Sequence, residues 1–523
     1  MSAMVKIINI TRRAFQVRIP VSNQRGKCRT EESGSGRPGV WGAIMLLFII
    51  ARTFAATPAD PAGKNAYTIT PVPGPDGAVL EVGGMDWMPD GRLMVCTRRG
   101  EVWSMKDGKW KLFATGLQEC LGLLHGETNN DLYVMQRPEL THLIDTKGVG
   151  VADKYVTVCS DFGFSGNYHE YAYGPVKDAD GNFCGTLNLG YEHDVWATAY
   201  MGADKDTPYR GWSFKITPDG KFIPWASGLR SPNGIAKSPD GEIFVMDNQG
   251  EFIGADWLVH IKKDAFYGNP SSLLFHKTIH ADPKTTSIQD LDKMRTLPAI
   301  IFPYGRMGQS GTQPTWDTTG GKFGPYAGQM FVGDMTVPLV MRCTLEKVGG
   351  EYQGACYPFV SSEEIRGANR LLFAPDGSLL VGVTDRGWGK GVDGIKRITW
   401  NGQTPLEVAN MSLKDDGFEL TFTKPLDTAS AGSPSAYSML HFHLIYHKEY
   451  GSPEADKTPV QVKDVEVSRD GRTVKLLLSD LTPRTIYELD MKGIRGADGS
   501  ELRNSSAYYT LNQLATKDDG PAK

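Results

Sequence analysis

The chain has 523 residues, 40% apolar and 22% charged, with 60 Gly and 31 Pro; this excludes a collagen-like or disordered chain, and at this length two or more domains are expected. The net charge of −4 is unevenly spread: residues 1–56 hold nine Lys or Arg against two Asp or Glu, so the remainder is at −11. An acidic body excludes nucleic acid as the partner, because phosphate binding needs a basic surface.

Val40 to Ala51 form an apolar run of 12 residues, followed by Arg52 and the small residues up to Ala56. The run is too short to span a bilayer and fits the apolar region of a secretory signal cleaved near Ala55 or Ala56. Residues 1–56 are therefore read as a targeting segment. The mature chain is read as exported, to the periplasm or the exterior, without an integral membrane domain. Thr11-Arg12-Arg13-Ala14-Phe15 resembles a twin-arginine signal but lies about 25 residues upstream of the apolar run.

Downstream, one turn-and-strand pattern recurs six times: Trp87–Cys96, Glu127–Val134, Lys177–Phe183, Lys237–Met246, Phe323–Val332 and Phe373–Gly382. In each, Pro or Asn with Gly sets a hairpin turn, and alternating apolar residues make a half-buried strand. The turns lie about 40–60 residues apart, except for a longer gap before the fifth. That gap reads as an insertion from Ser271 to Gln309, with a helix over Ile288–Arg295. The pattern predicts an all-β fold, a six-bladed β-propeller over residues 67–401, whose loops converge on one central funnel. Cys343 and Cys356 are symmetric about Gly349-Gly350, so a hairpin turning there sets them opposite each other and a disulfide is expected. The absence of Cys-x-x-Cys-His excludes a c-type haem, and no Cys/His spacing matches a structural zinc site.

After Trp400 the runs shorten: Phe418–Phe422, Val460–Val467, Val474–Leu478 and Ile486–Asp490. With the turn-plus-tyrosine at Leu481–Tyr487, they predict an immunoglobulin-like or fibronectin-like β-sandwich over residues 405–515. The polar residues 516–523 read as a disordered tail.

Two segments carry candidate chemistry. His169, in the loop Gly166–Pro175, is either a general base feeding the funnel or a histidine packed among Tyr168, Tyr171 and Tyr173. The segment Trp225–Gly250 holds Arg230, which can grip a carboxylate in a fork, and Asn233, followed by Asp247, Asn248 and Gln249. Carbonyls of Gln249, Gly250 and Glu251, with the Asp256 carboxylate, are hard oxygen donors of the kind Ca²⁺ takes. The plainer alternative is a salt-bridged arginine among ordinary turn residues.

Gly228-Leu-Arg-Ser-Pro-Asn-Gly234, Tyr267-Gly-Asn-Pro270, the Asn167-Tyr-His169 step and Ser310-Gly311 together resemble the glucose/sorbosone dehydrogenases, secreted propellers that hold pyrroloquinoline quinone (PQQ). The resemblance runs from about Gly84 to Trp400. It implies an oxidoreductase acting on a sugar or related polyol or aldehyde. In that reading His169 takes the proton of a sugar hydroxyl and Arg230 supports quinone and substrate. Gln249 and Gly250 bind the quinone and its Ca²⁺. The chain departs from the family pattern in having Thr336 where a lysine is expected and Gly367 and Asn369 where two arginines are expected. Arg366 and Arg370 are the nearest substitutes. Ser231 and Glu251 also stand in place of Asn and Pro.

Ser231-Pro-Asn-Gly234 with Ser238-Pro-Asp-Gly241 also resembles the gluconolactonases, which implies a divalent cation at Asn233 supported by Glu81, Asp86 or Asp385. A third reading is a funnel that binds glycan without turnover. In the C-terminal part His441, His443 and His447 share strand parity, so one face could present them to a metal, the plainer reading being a strand with a solvent-facing histidine face.

Overall fold

The computed structural model describes residues 66–190, 207–282, 284–386 and 391–514. The expected targeting segment, residues 1–56, and the polar residues 516–523 lie outside the described residues. Among those described, no helix is long and apolar enough to cross a membrane.

Each recurring turn builds the inner hairpin of a four-stranded antiparallel sheet. The first sheet is Val82–Trp87, Leu93–Thr97, Val102–Lys106 and Lys109–Ala114; the second is Leu123–His125, Asp131–Met135, Leu140–Ile144 and Lys154–Cys159. The third is Ala172–Lys177, Phe183–Leu187, Ser213–Ile216 and Phe222–Ala226, and the fourth Pro232–Lys237, Ile243–Asp247, Asp256–His260 and Ile300–Phe302. The fifth begins Gly311–Trp316, Met330–Asp334, Leu339–Val348 and Glu351–Ser361. The sixth joins Ala368–Phe373, Leu379–Thr384 and Asp393–Trp400 to the N-terminal strand Tyr67–Val72, with Tyr67 opposite Trp400. These repeated sheets resemble propeller blades.

Turn chemistry explains the hairpins. The Gly91 N–H donates to the Met88 carbonyl and the Met88 N–H to the Arg92 carbonyl; the Ser238–Glu242 and Ala374–Ser378 turns repeat both bonds. The glycine of each sits at positive φ, +82° at Gly91 and +94° at Gly241, which a side chain would oppose. The first strand of every sheet touches the first strand of the next, and the sixth touches the first. Glycines permit that approach. A Cβ on Gly122 would lie 1.9 Å from the Gly174 carbonyl oxygen, and one on Gly234 2.3 Å from the Gln313 Cα.

The insertion falls between the third and fourth strands of the fourth sheet. It contains a 3₁₀ turn at Pro270–Phe275 and an α-helix at Ile288–Met294, whose N-cap Ser287 accepts from the Asp290 N–H.

The fifth sheet does not end at Ser361. Its outer strand pairs with Ser506–Leu511, and the sheet continues through Thr485–Met491, Tyr437–Leu444 and Glu454–Val460, eight strands in all. Val408–Lys414, Gly417–Phe422, Thr473–Leu478 and Val462–Val467 form a separate sheet across one apolar core, which includes Tyr357, Phe418, Leu476, Tyr487 and Tyr509. Arg342, fully buried, ties the two halves. It is stacked between Tyr326 and Tyr357 and donates to the carbonyls of Val408 and Ala409. The expected turn-plus-tyrosine is present, with the Tyr487 hydroxyl accepting from the Thr482 N–H at 2.7 Å.

Three expectations need correction. The run Val460–Val467 is two strands in two sheets, broken at Gln461, where the chain crosses from one sheet to the other. Cys343 and Cys356 do face each other in register, but both are buried thiols rather than a disulfide. Of the three histidines only His441 and His443 lie on the strand. His443 faces Asp456 at 3.7 Å, and His447, in the following loop, meets Glu449 at 2.5 Å.

Candidate functional site

Because each turn closes one end of an inner hairpin, the start of its first strand and the end of its second lie together at the other end. Those open ends gather around a cavity of about 290 Å³. Tyr168, His169, Arg230, Ser231, Gln309 and Ser310 reach it just before first strands. Arg98, Asn188, Asn248, Met335 and Arg386 reach it just after second strands.

His169 is held by its neighbours. Its main-chain N–H donates to Asn167 Oδ1 at 3.0 Å, and its Nδ1 lies 2.9 Å from the Leu189 carbonyl oxygen. A carbonyl only accepts, so Nδ1 carries the proton and Nε2 keeps its lone pair in the neutral ring. Burial lowers the imidazole pKa to about 3, and the charges of Arg230, Arg386 and Arg137 push it the same way. At neutral pH the ring is an uncharged proton acceptor.

Arg230 and Ser231 are placed by Asp247, whose carboxylate accepts from both their main-chain N–H groups at 2.8 and 2.7 Å. Burial pushes the Asp247 pKa up to about 6. The Arg230 Nε and Nη2 both donate to Glu251 Oε2 at 3.2 Å. Gly250 passes directly beneath that guanidinium, where a Cβ would sit 2.1 Å from Nε. Arg98 Nε donates to Glu81 at 3.1 Å, and Arg386 Nη2 donates to Glu119 at 3.3 Å. Three residues of this wall each carry a buried polar atom without a partner: the Tyr171 hydroxyl, Asn188 Oδ1 and Asn248 Oδ1.

The C-terminal half contributes a residue that its place in the sequence does not advertise. Glu251 and Tyr450 form an isolated antiparallel bridge, and the Gly451 N–H donates to the Gly250 carbonyl at 3.0 Å. Tyr450 thereby joins the cavity wall, its ring 5.3 Å from the Arg230 guanidinium.

The remaining candidates separate. Gln249 and Asn233 line the cavity, but the Asn233 amide is spent on Asn369 at 3.2 Å and Arg370 at 3.1 Å. Arg370 is a brace, donating to the carbonyls of Gly83, Leu121 and Asn369. Arg366 is a rim residue, paired with Glu363 and donating to the Thr336 carbonyl.

Of the donors expected for Ca²⁺, the Gly250 and Glu251 carbonyls and the Asp256 carboxylate already have protein partners. The Gly250 carbonyl accepts from the Ile253 and Gly451 N–H groups, and the Glu251 carbonyl accepts from Asn269 Nδ2. The Glu251 carboxylate holds Arg230. Asp256 is buried, its oxygens accepting from the Gln249 and Gly311 N–H groups, and burial beside Asp334 raises its pKa. Among the described residues no three His, Cys, Asp or Glu side chains are grouped to hold a metal. This set does not fit the calcium-supported quinone of the resemblance. A cation at Asn233 fares no better, because Glu81 pairs with Arg98 and Arg99 and Asp86 with His125, while Asp385 accepts from the Gly391 N–H at 2.9 Å.

No curated protein matches the chain in sequence. Among solved structures it is similar to a putative oxidoreductase (glucose dehydrogenase) of Thermus thermophilus, at 20% identity and a TM-score of 0.46, over 64% of this chain and 99% of that one. It is similar also to the PQQ-bound aldose sugar dehydrogenase of Streptomyces coelicolor, at 15% identity and a TM-score of 0.44, over 65% and 99%. A putative gluconolactonase follows at 15% identity and a TM-score of 0.38, over 66% and 94%. The model of one family, described as a domain of unknown function, matches residues 104–382, more than half of the sequence, and the chain belongs to that family, DUF7133.

Proposed function

We propose that residues 67–401 form a six-bladed β-propeller and residues 405–515 an immunoglobulin-like sandwich. We propose further that the cavity at the ring's mouth is a carbohydrate site of sugar-dehydrogenase type. His169 is the residue that takes a proton from a substrate hydroxyl. The observation that carries this reading is the His169 side chain. The Leu189 carbonyl fixes its tautomer, so that the neutral imidazole of this lining residue keeps its lone pair on Nε2, in a cavity whose wall also holds amides, hydroxyls, aromatic rings and the guanidinium groups of Arg98, Arg230 and Arg386. Arg230 and Gln249 orient the substrate. The motifs at Gly228–Gly234 and Tyr267–Pro270 support the oxidoreductase class. Export of the chain rests on the apolar run before Ala56.

Taking a hydroxyl proton is half of an alcohol oxidation. The hydride on the same carbon needs an acceptor, and Gly250 and Glu251 do not offer PQQ the calcium-supported seat that the resemblance implies. The test is aldose-dependent reduction of an artificial dye by purified protein, with and without added PQQ and Ca²⁺. Reduction that requires sugar and is lost in a folded His169→Ala variant supports the reading. No reduction in any arm removes the oxidoreductase class, and sugar binding without turnover would then assign a glycan-binding module.

A further inference from the structure

We infer that the cavity takes a small anionic polyol, a sugar carrying an oxyanion, rather than a neutral sugar. The inference rests on the carbohydrate reading above and deepens it. Among the described residues that line the cavity, the charged ones are Arg98, Arg230 and Arg386, and no carboxylate is among them. The carboxylates that pair with these arginines, Glu81, Glu119 and Glu251, are not part of the lining. At Arg98 and Arg230 such pairing fixes the orientation of the guanidinium, and the arginine, not its carboxylate partner, is the residue that lines the cavity. Forked, permanently charged donors around one small space suit a carboxylate or phosphate group.

A second observation points to the hydroxyls of the same ligand. The Tyr171 hydroxyl, Asn188 Oδ1 and Asn248 Oδ1 are buried without a partner in this wall. The Asn188 amide spends its Nδ2 on Ser231 Oγ at 2.9 Å, so in either orientation of the amide one polar atom stays unpaired. Buried polar groups are ordinarily satisfied; these three are covered in the structure as it stands, and a polyol, whose hydroxyls both donate and accept, would pair with them as the wall adjusts around it. At about 290 Å³ the space is near the lower end for small-molecule sites, which suits one six-carbon ligand. The low pKa of His169, set in part by the charges of Arg230, Arg386 and Arg137, reports the same positive potential.

The test is calorimetric titration of the full chain with D-gluconate, D-glucose 6-phosphate, D-glucose and PQQ. Gluconate or the phosphate ester should bind at least tenfold more tightly than glucose, and the tighter of the two identifies the oxyanion. Arg98→Gln should weaken that binding roughly 10- to 100-fold, as expected for loss of a charge-assisted hydrogen bond. A measurement on the wild type alone guards against misfolding of the variant: binding should weaken as salt is raised. Glucose binding as tightly as gluconate, with Arg98→Gln indifferent, overturns the inference and leaves the carbohydrate site standing. PQQ binding in place of the sugars overturns it too, because the arginines would then serve the quinone carboxylates. No binding by any of the four overturns both the inference and the carbohydrate reading.

Discussion

Gly250→Ala isolates the packing that holds Arg230. The φ angle of Gly250 is not among those in the left-handed region, so alanine is acceptable to the backbone and the effect is confined to the new methyl. That methyl would lie 2.1 Å from Arg230 Nε, 2.5 Å from Cδ and 2.7 Å from Cζ. Restoring ordinary contact requires the guanidinium to move by about 1.5 Å, which opens both 3.2 Å bonds to Glu251. Overpacking of this kind costs about 1–3 kcal/mol, and leaving the buried Glu251 carboxylate short of its partner adds to it. We expect a loss of about 2–3 kcal/mol in urea denaturation, with an unchanged slope. In an Arg230→Ala background the three nearest neighbours of that methyl are gone and it should cost less than about 0.5 kcal/mol, so the two changes are coupled. Equal costs in both backgrounds would refute the argument that Gly250 is there to seat Arg230.

Other perturbations probe separate parts of the account. The folded His169 pKa of about 3 lies below its unfolded value near 6.5, so the unfolded chain binds the proton first and stability is lost as pH falls through that window. Between pH 6.5 and 4 this amounts to about 3 kcal/mol, which the difference between wild type and His169→Gln in denaturation at several pH values should recover; parallel pH profiles would contradict it. Chelation or addition of Ca²⁺ should leave the melting temperature unchanged, since the Gly250 and Glu251 carbonyls already accept protein hydrogen bonds, and a calcium-dependent rise would contradict that assignment. Arg342→Met should destabilise by about 2–4 kcal/mol, because it strips donors from the Val408 and Ala409 carbonyls; a loss below about 0.5 kcal/mol would show that the brace is dispensable. Tyr450→Ala should weaken binding of the cavity ligand while leaving the melting temperature within a few degrees of wild type, as checked by calorimetry and thermal unfolding.

Much of the architecture is legible in the sequence because hairpin turns are local. Pro-Asp-Gly demands one glycine at positive φ, and the alternating run that follows it marks a strand regardless of what packs on it. The same turns locate the cavity, since the open ends of the inner hairpins must lie opposite them. Counting to the last residue of each second strand leads to Asn248, which motif reading named, and to Arg98, Asn188 and Arg386, which it passed over. His169 and Arg230 stood out because short flanking motifs surround them. Tyr450 carried no such signal: it lies about 200 residues from Glu251, and nothing local says that its loop will bridge to another sheet. The partners of Gly250 were hidden for the same reason, so the loop read as a calcium seat when its carbonyls were already taken. The continuation of the fifth sheet into the C-terminal half was equally non-local. Leu339–Val348 and Glu351–Ser361 are longer than their counterparts, and that excess length was the available hint.

The most direct measurement is a crystal structure of the full chain soaked with D-gluconate. The account predicts the ligand in the cavity at the ring's mouth, its carboxylate against the guanidinium groups of Arg98, Arg230 or Arg386 and a hydroxyl within hydrogen-bond reach of His169 Nε2. Gluconate seated instead in the larger groove beside Trp257 and Tyr446, with the His169 cavity empty, would contradict it.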